Sequence, residues 1–440
     1  MAAPFFEITD DPPERPARGG SKVCSEREHR SVGLQIRMSK QTSDQLKSSD
    51  SSTLVIRNVQ LVEPGRGISS GDLLIENGRI AEVGSIPVTD TGKVRELDGQ
   101  GRLLTPGLID LHTHGVLNHF YAEGREDLLL GGKALAQFGV TTVLPTIVPQ
   151  MEVGWLDKIA EICAALDDVR GVNMPGIHLE GPFMAIKGTA AATLEGDLEM
   201  LKDIVAACGG RLRVMSLSPE TPQIIPVIEM LRENGVTVFL THTRASVEQT
   251  ESAIAAGATH ATHFYDVFYS PPETDMGVRP VGAVEAILAD RNVSVDFIAD
   301  GIHVHPAAIK AAVAAKGYSG VTLITDSIVG AGLPPGRYDT PWGFQVQLAE
   351  GDAPRTVEGN HLAGSSLTME QGMRNLLSWL DLPPEQVWAM GTGNPADVVG
   401  LKEVGRLQVS DWADLVLWDD DLRPAQTWVR GELAYNRSQS

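Results

Sequence analysis

From Thr53 onward the chain opens with blocks in which apolar and polar residues alternate, "TLVIRNVQLV" and "GDLLIENGRIAEVGS", separated by Pro64-Gly65 and Asn77-Gly78. A period of two bounded by turn residues predicts strands joined as hairpins. The same texture returns at the far end in "GRLQVSDWADLVLWDDD" and "TWVRGELAYN". Both ends of the chain are therefore expected to build one small β-sandwich, from residues 53–103 together with 404–436.

Between residues 104 and 403 the pattern changes. Short, nearly continuous apolar runs follow segments of helical period: "TTVLPTIV" after "EDLLLGGKALAQFGV", "RVMSLSPE" after "LEMLKDIVAACGG", "VTVFLTHT" after "IIPVIEMLRENG", and "VTLITDS" after "AAIKAAVAAKG". Repeated units of this length predict a parallel sheet, and their number suits an α/β fold closed as a (β/α)₈ TIM-like barrel. Such a barrel gathers its chemistry at the C-terminal ends of the strands. Residues 1–52, rich in Ser, Arg, Glu and Pro without apolar periodicity, read as a disordered N-terminal tail. A start at Met38, with the first 37 residues an upstream translation artefact, is the alternative.

Composition narrows the class. Lys and Arg total 36 against 57 Asp and Glu, a formal charge of −21, which disfavours attraction to nucleic acid or anionic membrane. No window approaches eighteen consecutive apolar residues, so no membrane span is expected. Cys24, Cys163 and Cys208 show no CxxC spacing and offer no disulfide framework, which points to a reducing, cytoplasmic setting.

Histidines and carboxylates stand at the ends of the predicted strands. In "TPGLIDLHTHG", His112 and His114 are two apart, and a strand's period of two projects both to one face. Glu180 closes "GIHLE", where a buried carboxylate is costly unless paired or metal-bound. His242 ends "VTVFLTH" and His263 ends "GATHATH". Each alone has a bland structural reading. Together the five are metal-competent groups on four successive strand ends, a donor set suited to a divalent ion, with Zn²⁺ the expected one. His178 and His260 read as supporting histidines. Asp326, at the end of "VTLITD", reads either as a turn residue or, beside a metal site, as the general base that later protonates a leaving nitrogen.

The ordered set "PGLIDLHTHG", "HLEGPF", "GATHATHFYD", "DGIHVHP", "TDS" and "LAGSSLTM" resembles the N-acetylglucosamine-6-phosphate deacetylases of the amidohydrolase superfamily, over residues 53–436. The resemblance implies metal-dependent removal of an acetyl group from an amino sugar, with Glu180, His242 and His263 as ligands and Asp326 as catalytic aspartate. Retention of His112 and His114 implies room for a second metal, so one or two ions per subunit, with Glu180 bridging. It further implies sugar contacts from His303, from the run holding Asp266 and Val267, and from the Leu362-Ala363 loop. His305 reads as a loop histidine without a role. Arg279 lies near a phosphate-binding arginine that the family often supplies from a neighbouring subunit, so a homodimer is expected.

Two departures bear on substrate. A family histidine in a "KGTH" stretch is here Ala190, in Lys187-Gly188-Thr189-Ala190, and the "HLFNAM" run is "HFYDVF", with Asp266 for asparagine and Val267 for alanine. A carboxylate beside the pocket predicts a weaker preference for a 6-phosphate. The rival readings are a cyclic-amide or dipeptide hydrolase of the same superfamily, a less favoured deaminase of the same fold, and a non-catalytic sugar-binding descendant. The first rivals usually recruit a carboxylated lysine where this chain offers Glu180.

Overall fold

A computed structural model describes residues 53–87, 94–188 and 191–439. The expected tail over 1–52, the alternative start at Met38, and Thr189 and Ala190 lie outside the described residues.

Eight parallel strands form the centre: β1 (Leu108–Thr113), β2 (Val140–Ile147), β3 (Ile177–Glu180), β4 (Leu212–Leu217), β5 (Thr237–Leu240), β6 (Ala258–Ala261), β7 (Ser294–Ile298) and β8 (Val321–Ile324). Each pairs with the next in sequence order. Closure between β8 and β1 comes just past the end of β8, where Asp326 N donates to His112 O at 2.8 Å and His114 N to Ser327 O at 2.8 Å.

The apolar runs are continuous because both faces of these strands are covered. Alternate residues turn outward, Met215 and Leu217 of β4 or Val295 and Phe297 of β7, into a core shared with helix residues such as Leu201, Ile204 and Ile228. Those between them turn inward, where Ile109, Leu111, Leu144, Val214, Phe239, Ile298 and Ile324 fill the barrel. Local signals agree with this frame. Asp197 caps helix Leu198–Cys208 by accepting from Glu199 N and Met200 N, and Ser246 with Gln249 forms a capping box before Val247–Ala256.

The chain ends meet as expected. Strands Thr53–Glu63, Gly67–Glu76, Arg79–Gly84, Arg95–Asp98 and Leu103–Pro106 share one sheet with Leu415–Trp418, Pro424–Val429 and Glu432–Asn436. Its two halves enclose a common core: Ile56, Leu73 and Ile80 pack with Leu415, Leu417 and Trp428. The turns at Gly78 (φ 77°) and Gly431 (φ 79°) meet so closely that a Cβ on Gly431 would lie 2.7 Å from the Gly78 Cα. Leu103–Pro106 pairs with both Thr53–Glu63 and Leu415–Trp418 and leads directly into β1. The barrel is thereby tied to both chain ends at its first strand. Among the described residues no helix is long and apolar enough to cross a membrane.

Candidate active site

Every expected metal-competent side chain stands at the C-terminal end of a barrel strand or just past it. His112 lies in β1 and His114 follows it, Glu180 is the last residue of β3, and His242, His263 and Asp326 each come two residues after β5, β6 and β8. These last three share a backbone device: φ is +44° at His242, +37° at His263 and +48° at Asp326. Left-handed backbone at a non-glycine residue costs about 1–3 kcal/mol and persists where the surroundings over-determine it. Here it turns the chain out of the strand while the side chain stays over the barrel mouth.

Glu180 is the hub. Its Oε1 lies 3.1 Å from His242 Nε2 and 3.4 Å from His263 Nε2, and its Oε2 is 3.3 Å from His114 Nε2 and 3.8 Å from His112 Nε2. Asp326 Oδ1 is 3.2 Å from His114 Nε2 and 3.5 Å from His112 Nε2. Two overlapping clusters can each hold an ion: His112 with His114 and Asp326, and His112 with Glu180 and His263, their donor atoms within 4.8 Å of one another. His242 falls in neither cluster but touches both through Glu180.

The donor set fits a divalent cation on its own evidence. His112 is fully buried, its Nδ1 shares a hydrogen bond with Thr262 Oγ1 at 2.9 Å, and its Nε2, turned to both carboxylates, has no hydrogen-bond partner. Neutral imidazole nitrogens beside buried carboxylate oxygens are the chemistry such an ion selects. The electrostatics show the same demand for positive charge. Burial would lift the Asp326 carboxyl, yet His112 and His114 hold it at about 2, and Glu180 sits well below the usual range despite its own burial. Burial pulls His114 and His263 down, but the same carboxylates draw them up to about 9 and about 10.

Supporting residues fix these groups. His178 Nδ1 lies 3.0 Å from Leu111 O and Nε2 3.0 Å from Ser216 Oγ, so both ring nitrogens are engaged and, with burial the main cause, its pKa falls well below the usual value. His260 is held between Ser294 Oγ at 2.6 Å and Asp296 Oδ2 at 2.9 Å, while Asp296 Oδ1 accepts from His263 N. His305 caps helix Pro306–Lys316, accepting from Ala307 N at 3.1 Å. Asp296, Thr262 and Thr241, the last 2.9 Å from His263 Nε2, escaped the sequence reading. Asp296 sits mid-strand and the two threonines follow apolar strands, so all three read as core; strand pairing brings Asp296 and Thr241 to His260 and His263, and closure of the barrel brings Thr262 across to His112.

Above the hub lies a cavity of about 230 Å³. Asp266, Val267, His303 and Leu362 line it, as does Gly188 of the Lys187-Gly188 stretch, and so do Tyr269, Val148, Ala191 and Trp342, which no motif signalled. His303 Nδ1 is taken by Asp300 Oδ2 at 2.6 Å, leaving Nε2 as the nitrogen available to a ligand. A Cβ on Gly188 would lie 2.3 Å from His242 Cε1, so this segment can cover the site only with glycine there. Of the remaining sequence candidates, Ala363 buries its side chain in a neighbouring apolar cluster with Ile328 and Val346, and Arg279, outside the cavity lining, is exposed and paired with Glu285. Arg244, 5.2 Å from the Tyr269 ring centroid, brings a different guanidinium to the Tyr269 wall.

Residues 103–434 match the amidohydrolase family. The chain is 31% identical to the N-acetylglucosamine-6-phosphate deacetylase of Lysinibacillus sphaericus, over 87% of this chain and 97% of that one. It is 33% identical to an N-acetylgalactosamine-6-phosphate deacetylase of Escherichia coli O157:H7, over 87% and 99%. Among solved structures, the N-acetyl-D-glucosamine-6-phosphate deacetylase of Mycobacterium smegmatis superposes with a TM-score of 0.75 at 26% identity, covering 87% of this chain and 100% of that one. With the barrel, the strand-end donor set and these matches agreeing over the same residues, the chain belongs to the amidohydrolase family, in its N-acetylglucosamine-6-phosphate deacetylase branch.

Proposed function

We propose that this enzyme hydrolyses the N-acetyl amide of an amino sugar, N-acetylglucosamine-6-phosphate or a close analogue, releasing acetate. One observation carries the reading: Asp326 stands beside the imidazole and Glu180 cluster and also faces the cavity, so one carboxylate reaches both the metal-competent groups and a bound substrate. Zn²⁺, as one or two ions, is the metal that this donor set favours. When bound, such an ion lowers the pKa of water toward neutrality and polarises a carbonyl.

The chain's own residues supply the rest. His112, His114, Glu180, His242 and His263 hold the charge, with Glu180 shared between its two sides. Asp326 accepts the proton of the attacking water and delivers it to the amide nitrogen, because an amine leaves poorly until protonated. His303 and Asp266 orient sugar hydroxyls from one wall, with Val267 and the Leu362-Ala363 backbone beside them. Arg279, exposed and outside the lining of this chain's own cavity, serves phosphate across a subunit boundary in this reading, to which a homodimer therefore belongs. A cytoplasmic setting belongs to this reading, supported by a sparse cysteine content without a disulfide framework. Residues 104–403 carry the chemistry, and 53–103 with 404–436 form the flanking domain, Leu103–Pro106 spanning the junction.

The test measures acetate release from N-acetylglucosamine, N-acetylgalactosamine and their 6-phosphates, with added Zn²⁺, by wild type and Asp326→Asn. Wild type should turn over at least one of them. Asp326→Asn should retain its fold and the metal of the His112, Glu180 and His263 cluster while kcat falls roughly 10²- to 10⁴-fold, the range general acid–base groups contribute. Metal-loaded wild type inert toward all four would overturn the reading.

A further inference from the structure

The cavity above the hub has two unlike walls. Asp266, Tyr269 and His303 present polar atoms on one. On the other stand Val148, Ala191 and Trp342, which belong with the buried Met184 to one apolar cluster. Trp342 also stands edge-on to His114, ring centroids 5.7 Å apart, and to Phe120 at 4.8 Å. Behind it lies a second cavity of about 210 Å³ that shares Val148 and Trp342 with the first and is lined by apolar residues, among them Ile147, Ile159 and Ile162, together with Glu123, Gln150, Glu152 and Lys158. None of the polar residues of the opposite wall reaches it.

We propose that the apolar wall is the acyl subsite and that Trp342 is the partition limiting acyl length, the second cavity being a latent extension for N-acyl groups longer than acetyl. This rests on the amide hydrolysis proposed above. A bound amide must put its carbonyl carbon beside Asp326, with the sugar on one side of the C–N bond and the acyl carbons on the other. Sugar hydroxyls need hydrogen-bond partners, which among the described residues the Asp266, Tyr269 and His303 wall offers, whereas an acyl methyl is best placed against Val148 and the indole. Contact with His114 sets Trp342 next to the reacting centre, so its ring bounds the space for the acyl substituent. Removing it would join the two cavities. A cavity of about 150 Å³ can hold a benzene molecule, so the added space is large enough for several methylenes laid against Ile147, Ile159 and Ile162, away from Glu123, Glu152 and Lys158.

The test is kcat/KM for N-acetyl, N-propionyl and N-butyryl forms of the hexosamine that wild type hydrolyses best. Wild type, Trp342→Ala, Trp342→Phe and the double variant Trp342→Ala with Ile159→Phe are compared. A misfitting methylene in a hydrophobic pocket changes rates roughly 10- to 200-fold. Wild type should therefore disfavour butyryl by at least about tenfold. Trp342→Ala should raise the butyryl-to-acetyl ratio by at least about tenfold, Trp342→Phe should raise it less, and Ile159→Phe should reverse the gain by refilling the annex. Because each ratio is taken within one protein, a loss of folded enzyme cancels. A ratio unmoved by Trp342→Ala and Trp342→Phe while acetyl is still hydrolysed overturns the acyl subsite and leaves the hydrolase standing. No hydrolysis of any N-acyl sugar by wild type overturns both.

Discussion

The Thr325 hydroxyl donates a 2.6 Å hydrogen bond to the buried Asp110 carboxylate, fastening the last barrel strand to the first one residue before Asp326. Asp110 also accepts from His112 N at 3.2 Å and Thr325 N at 3.3 Å, so one carboxylate registers a metal-competent histidine against the proposed acid–base. Thr325→Val keeps the shape and removes the donor, leaving a buried carboxylate oxygen short of a partner. Stability should fall by about 1–3 kcal/mol in urea unfolding. In steady-state kinetics kcat should drop while KM moves little, since Asp326 is displaced but the sugar wall is not. An unchanged kcat would show that closure does not depend on this bond.

Metal content should track the hub. Glu180→Gln keeps the side-chain length but removes the charge that both halves of the cluster share. Elemental analysis should find less metal per chain in this variant and in His242→Ala, with turnover lowered in both. Chelation of wild type should lower Tm, because an ion that binds only the folded state stabilises it. Full occupancy in both variants would remove these residues from the ligand set.

Asp266 should weigh against phosphate. A carboxylate on the cavity wall repels a nearby dianion by an amount on the order of 1 kcal/mol at reduced effective dielectric, about fivefold in binding. Asp266→Asn should therefore raise kcat/KM for the 6-phosphate several-fold relative to the unphosphorylated sugar, and more at low salt. A strong wild-type preference for the phosphate that Asp266→Asn leaves unaltered would contradict this assignment.

Far from the site, Asp414 should make stability depend on pH in the unusual direction. Burial lifts its carboxyl from 3.8 to about 6, against the bond its Oδ1 accepts from Arg430 N at 2.6 Å, and its Oδ2 has no partner. The folded chain thus binds this proton more tightly than the unfolded one. Its contribution is most favourable below about pH 4 and is lost as pH rises through about 6, a change of about 3 kcal/mol at most. Asp414→Asn should match wild type near pH 4 and be the more stable protein at pH 7–8, by urea unfolding at each pH. A difference that stays flat between pH 4 and 8 would exclude this titration.

The sequence alone determined the (β/α)₈ order, the union of both chain ends in one small sheet domain, and six strand-end groups from His112 to Asp326. Those follow from period and position: an apolar strand closed by a polar, metal-competent residue carries its meaning locally, whatever lies opposite. Tertiary structure decided what surrounds them. Trp342 and Val148 come to the cavity from segments more than 190 residues apart, Asp296 and Asp110 reach their partners only through strand pairing and closure, and Thr262 meets His112 only across the closed barrel. Ala363 turns into an apolar cluster and Arg279 pairs with Glu285, placements that depend on loop paths rather than on strand period. A strand's alternation fixes which way a side chain points, but a wall of a pocket is made by whichever loops closure of the barrel happens to bring together.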